Sequence, residues 1–95
     1  MVSLIVWFKF VPEDRAEVAD LLRLLTAQTR QEPGCVSYTP HPLQEDPDTV
    51  VVYEQYRDEA ALMAHRDSPH FKKYAAGGLY QKMLERKLQN LIDIV

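Results

Sequence analysis

From Ser3 to Phe10 apolar residues fill both alternating sets, with Leu4, Val6, Phe8 and Phe10 on one side and Ile5 and Trp7 before Lys9 on the other. The β-branched and aromatic content predicts a strand with two largely apolar faces. Pro12 ends it. Asp14 followed by Glu17 has the spacing of a capping box, and Val18, Leu21, Leu22 and Leu25 then recur at i, i+3, i+4 and i+7, which predicts a helix to about Gln31. Glu32-Pro33-Gly34 stops that helix. A second strand is predicted from Cys35 to Leu43, although Pro40 and Pro42 withhold two ladder donors and push its far end to a sheet edge or an irregular path.

Gln44 to Asp48 reads as an acidic turn, and Thr49 to Arg57 as the clearest strand. It carries Val50, Val52, Glu54 and Tyr56 on one face and Val51, Tyr53 and Gln55 on the other. Asp58 can cap a second helix through Ala60, Leu62 and His65, which breaks near Asp67 because the residue before a proline avoids helical angles. Ser68 caps a new turn with Pro69 at its favoured first position, and that piece carries Phe71 and Tyr74 and is expected to end at Gly77-Gly78. A further helical turn fits Leu79 to Glu85. A last strand is predicted from about Arg86 to Ile94, where Leu88, Asn90, Ile92 and Ile94 alternate with their neighbours.

The order β-α-β-β-α-β predicts an α+β, ferredoxin-like fold with a mostly antiparallel four-stranded sheet and both helices on one face. Two helices cover only one face of a sheet that is apolar on both. A second copy of the chain related by a two-fold axis is the expected cover, so a homodimer with sheets packed face to face is predicted. The 95 residues are expected to form a single domain, 1–95, burying about two thirds of the unfolded chain's surface.

Charge and composition narrow the classes of partner. A net charge of -3, with Lys and Arg scattered among acids, gives no reason to propose nucleic-acid binding. No apolar run approaches the roughly 20 residues that span a bilayer, and the apolar start lacks the basic residues and cleavage site of a secretion signal, so a cytoplasmic protein without membrane contact is expected. Cys35 alone cannot form an internal disulfide and is expected to be a buried structural thiol.

Glu32-Pro33-Gly34-Cys35 before the second strand, Tyr53-Glu54-Gln55-Tyr56 on the third, then Ala64-His65 and Ser68-Pro69-His70-Phe71 follow one another in a specific order. In this the chain resembles the antibiotic biosynthesis monooxygenase family, small dimeric α+β barrel proteins that include cofactor-independent quinol monooxygenases. The resemblance implies fold far more specifically than activity, because such scaffolds host several chemistries. Where the family's polyketide oxygenases place an asparagine, a tryptophan and a tyrosine, this chain has Val52, Tyr56 and Leu62. Where its haem-degrading relatives use an asparagine, a tryptophan and a histidine ligand, this chain offers Trp7, His65 and Ala75, so haem degradation ranks low.

Oxygenation of a quinol without metal or flavin requires a base to remove a phenolic proton and a pocket that excludes bulk water. His65 is the candidate base, since an imidazole titrates near neutrality and this one shares a helix face with Ala61 and Leu62. Glu54 is the candidate orienter, holding the imidazole's other nitrogen. Tyr56, Val52, Leu62, Phe71, Tyr74 and His70 are the candidate contacts to a small aromatic or hydrophobic substrate, although solvent is the better expectation for His70. A core histidine held by one hydrogen bond, a strand acid in an ion pair and plain core aromatics would leave the same pattern.

No cofactor is expected. No metal site is expected either, because His65 and His70 are five apart across a helix break and lack the i, i+4 spacing that places two imidazoles on one ion. The function expected is a cofactor-independent monooxygenase acting on a small quinol or polyphenolic ring. The alternatives are a non-catalytic barrel that binds a hydrophobic ligand and an isomerase or degrading enzyme for a small hydroxyketone.

Overall fold

The computed structural model describes residues 1–94. Strands β1 (Val2–Lys9), β2 (Cys35–Pro42), β3 (Thr49–Tyr56) and β4 (Glu85–Leu91) form one antiparallel sheet in the order β2-β3-β1-β4. Helices α1 (Arg15–Thr29) and α2 (Glu59–Arg66) complete the ferredoxin-like α+β arrangement. In the register of β1 on β3, Leu4 lies opposite Glu54, Val6 opposite Val52 and Phe8 opposite Val50. Cross-strand partners share a face, and these six are buried under the helices, whereas Ile5, Trp7, Val51 and Tyr53 on the opposite face are only half-buried. The core therefore lies on one side of the sheet.

Pro40 and Pro42 lie inside β2, where an edge strand needs ladder bonds on one side only. A bulge precedes them: Cys35 pairs with Tyr56 and Ser37 with Gln55, leaving Val36 as the extra residue. Phe10 falls just beyond β1, yet it is buried and its backbone N–H donates to Asp48.

Three expectations are corrected. The capping box at Asp14 does not form: Pro12–Asp14 make a 3-10 turn that leaves Asp14 at φ -93°, ψ 0°, away from the extended backbone a capping residue needs. Asp58 does have that backbone, and its carboxylate accepts from the Ala61 N–H at 2.8 Å. The glycine pair does not stop the second helical piece, which continues through a π-helix (Phe71–Leu79) into a last turn, α3 (Tyr80–Lys82). A Cβ on Gly78 would lie 3.0 Å from Leu21 Cδ2, so this glycine serves close packing on α1. Finally, β4 runs from Glu85 to Leu91, and Ile92 and Ile94 lie past its end, fully exposed. Among the described residues no helix is long and apolar enough to cross a membrane.

Candidate active site

Four segments meet at His65. Its helix, α2, packs on the Glu-Pro-Gly turn so closely that a Cβ on Gly34 would sit 2.3 Å from Ala61 Cβ. Ala61 and His65 are one helical turn apart, so this contact delivers the turn's acid to the imidazole. Glu32 Oε2 lies 2.8 Å from His65 Nδ1, and the same oxygen takes a hydrogen bond from His70 Nε2. A carboxylate oxygen accepts, so both nitrogens are N–H donors in this arrangement. Neutral His65 then carries its lone pair on Nε2.

On the sheet side, Glu54 Oε1 lies 3.9 Å from that Nε2, beyond hydrogen-bond reach, and accepts instead from the Tyr56 hydroxyl at 2.6 Å. The role of imidazole orienter expected for Glu54 therefore falls to Glu32. Burial, only partly offset by the Tyr56 hydrogen bond, raises Glu54 from the usual carboxylate range to about 7. Burial lowers the His65 pKa despite the Glu32 contact, and it raises the Tyr56 phenol well above its ordinary range, with the Glu54 charge adding to the effect. Near neutral pH the cluster thus holds a neutral imidazole facing a carboxyl poised to gain or lose a proton.

Tyr38, Tyr56 and Phe71 surround the imidazole at ring-centroid distances of 5.7, 5.2 and 5.2 Å. Beside it lies a void of about 30 Å³, which is room for a water or two. Glu54, His65, Tyr38, Phe71 and Tyr80 border it, with the exposed Arg66 and Arg86 at its mouth.

Of the residues expected to touch substrate, Phe71 borders the void. Val52 and Leu62 do not; both are buried in the apolar core beside it. Tyr56 is fully buried behind Glu54, and Tyr74 packs half-buried against the core without reaching the void. His70, expected in solvent, is turned inward onto Glu32, because the chain breaks after α2 and the Ser68 hydroxyl caps the next piece by accepting from the Phe71 N–H. Glu32, Tyr38, Tyr80 and Arg86 were not anticipated. The bulge in β2 turns Tyr38 inward, a change of face that sequence alternation does not display. Cys35 is half-buried, and burial together with the Glu32 and Glu54 charges pushes its thiol up, away from the thiolate a nucleophile needs.

The convergence on Glu32 also corrects the spacing argument against a metal. That argument required the i, i+4 spacing of a single helix face, whereas the break itself lets His65 and His70 approach one carboxylate from two separate pieces. One donor atom from each of Glu32, His65 and His70 lies within 4.8 Å of the others.

The antiparallel sheet with its helices on one face, enclosing a buried acid, phenol and imidazole beside a small void, defines a small ferredoxin-like α+β domain. The family model "Antibiotic biosynthesis monooxygenase" matches residues 1–77, and the chain belongs to that family. Rv0793 of Mycobacterium tuberculosis is 39% identical over 77 residues, covering 79% of this chain and 73% of that protein. YcnE of Bacillus subtilis is 31% identical over 78 residues, covering 82% of each; both relatives carry provisional monooxygenase names. A crystal structure of an antibiotic biosynthesis monooxygenase superposes over the whole of both chains with a TM-score of 0.94 at 28% identity.

Proposed function

We propose that this protein is a cofactor-independent monooxygenase that oxidises a small quinol or polyphenolic ring with dioxygen. The observation that carries the reading is the 2.8 Å contact of Glu32 with His65 Nδ1: a carboxylate there calls for the proton on Nδ1 and leaves the lone pair on Nε2, the nitrogen on the side of Glu54. Nε2 takes the phenolic proton, the resulting imidazolium is held by Glu32, and the electron-rich phenolate passes an electron to dioxygen. Glu54, across the void, is placed to share that proton. The void is sized for water alone, so binding of a ring requires lining side chains to move. That requirement favours one-ring substrates over polycyclic ones.

The same proposal includes a homodimer. Among the described residues no helix covers the sheet face carrying Ile5, Trp7, Val51 and Tyr53, and a second copy supplies the missing cover. Sedimentation at the mass of one chain would remove this part.

Oxygen uptake over a panel of small quinols tests the chemistry. His65→Ala is expected to lower kcat/KM by about 10²–10⁴-fold, the usual contribution of a positioned base. An unchanged rate overturns the assignment. A ring that binds without oxygen uptake, with equal affinity in His65→Ala, favours a ligand-holding protein instead.

A further inference from the structure

We propose that Glu32, His65 and His70 form a binding site for a divalent first-row transition-metal ion, and that a bound ion and the base chemistry of His65 exclude one another. Three donors converge before any ion is present. Glu32 Oε2 lies 2.8 Å from His65 Nδ1 and is also hydrogen-bonded to His70 Nε2, and the three donor atoms fall within 4.8 Å of one another. Around a tetrahedral ion with bonds of about 2.0–2.2 Å, neighbouring donors stand roughly 3.4 Å apart. The His65–Glu32 contact therefore needs to open by about half an ångström, a side-chain adjustment. An ion would replace the two N–H protons now directed at Oε2, and three protein donors would leave a fourth position for water.

Two further observations support the site. Glu54 stands 3.9 Å from the far nitrogen of His65 and is itself fixed by the Tyr56 hydroxyl. A carboxylate hydrogen-bonded to the non-coordinating nitrogen is the support that metal-bound imidazoles ordinarily use, and Glu54 would give it after closing by about 1 Å. Shelter and access are also balanced, since the side chains of His65, Glu32 and His70 are 3%, 15% and 15% exposed. Two imidazoles with one carboxylate select zinc-like ions over magnesium or calcium, which prefer all-oxygen shells.

The consequence follows from imidazole chemistry. A neutral imidazole that binds through Nδ1 carries its proton on Nε2, the nitrogen on the side of Glu54. Loading the site thus converts His65 from a proton acceptor into a donor. Only this consequence rests on the proposed base; the binding itself does not.

Calorimetric titration of the metal-stripped full chain with Zn²⁺ tests the site. One ion per chain is expected, with affinity lowered at least tenfold in His70→Asn and in Glu32→Gln. Imidazole ¹⁵N spectra of the unsubstituted protein provide a readout that survives any folding defect in the variants: Zn²⁺ is expected to remove the His65 Nδ1 proton signal. No saturable binding, undiminished binding in both variants, or a response confined to His41 overturns the proposal. The two readings fail separately, because a chain that binds Zn²⁺ but consumes no oxygen loses the base, and one that consumes oxygen without binding Zn²⁺ loses the metal site.

Discussion

The helix-covered face of the sheet has two ends, and they differ in what fills them. At one end, Phe10, Val18, Leu22 and Val50 surround a void of about 120 Å³, four times the volume beside His65 by the same measure. Its one pair of charges is mutually satisfied at the rim: Arg15 grips Asp48 through two hydrogen bonds of 2.8 Å, and that contact lowers the Asp48 pKa. At the other end the void is small, but Glu54 is buried with the Tyr56 phenol as its hydrogen-bond donor, and burial raises its pKa to about 7 against the pull of Arg66 and Arg86. Incompletely neutralised polar groups, rather than volume, set the His65 end apart as the proposed site.

Leu22→Ala is the harshest test of that contrast. The larger void would grow further, and a loss of about 2–5 kcal/mol is expected in urea denaturation, while oxygen turnover by the folded fraction stays within twofold. Loss of turnover in a folded Leu22→Ala protein would mean that the two ends act as one.

Glu54→Gln should act in the opposite direction. Because the folded-state pKa is raised above the unfolded value of 4.5, the folded chain holds more protons than the unfolded chain between pH 4.5 and about 7. Wild-type stability from this group is therefore present below pH 4.5 and is lost as pH rises through 7. The stability of Glu54→Gln relative to wild type should climb over that window and level off above it, by about 3 kcal/mol. His65, whose lowered pKa costs stability on the acid side of its unfolded value near 6.5, contributes in both proteins, and the difference between them reports Glu54 together with its coupling to Nε2. A difference that does not vary with pH would show that Glu54 is ionised in the folded state as it is in the unfolded one.

Gly34→Ala should have the smallest effect on stability, about 1–3 kcal/mol of overpacking against Ala61. Its sharper readout is the His65 imidazole spectrum, where a displaced α2 should weaken the Nδ1 hydrogen bond to Glu32. An unaltered spectrum would show that the turn, rather than the helix, gives way.

Most of the fold was legible because its signals are local. The alternation in β1 and β3 gives the buried face residue by residue, and Asp58 and Ser68 act as caps where the sequence places them. Glu32 was read as a helix-stopping acid because its chemical partners stand 33 and 38 positions away. A π-helix has no composition of its own, and Gly77-Gly78 resembles a stop when the close approach of Leu21 is out of view. His65 and Glu54 were legible as inward-facing residues, but which acid would hold the imidazole depended on the docking of α2 against Gly34.

The bulge at Val36 has a consequence for chain length. Cys35 and Tyr38 are three residues apart, an odd interval, yet they lie opposite Tyr56 and Glu54 on the same side of the sheet. The extra residue is a spacer between two fixed points, Glu32 in the turn and Tyr38 in the strand, both of which must reach His65. Deleting Val36 would remove no group that touches the imidazole, but it would make the segment one residue too short to serve both. In this stretch the number of residues is the specification, and an insertion or deletion would be less tolerated than a change of side chain.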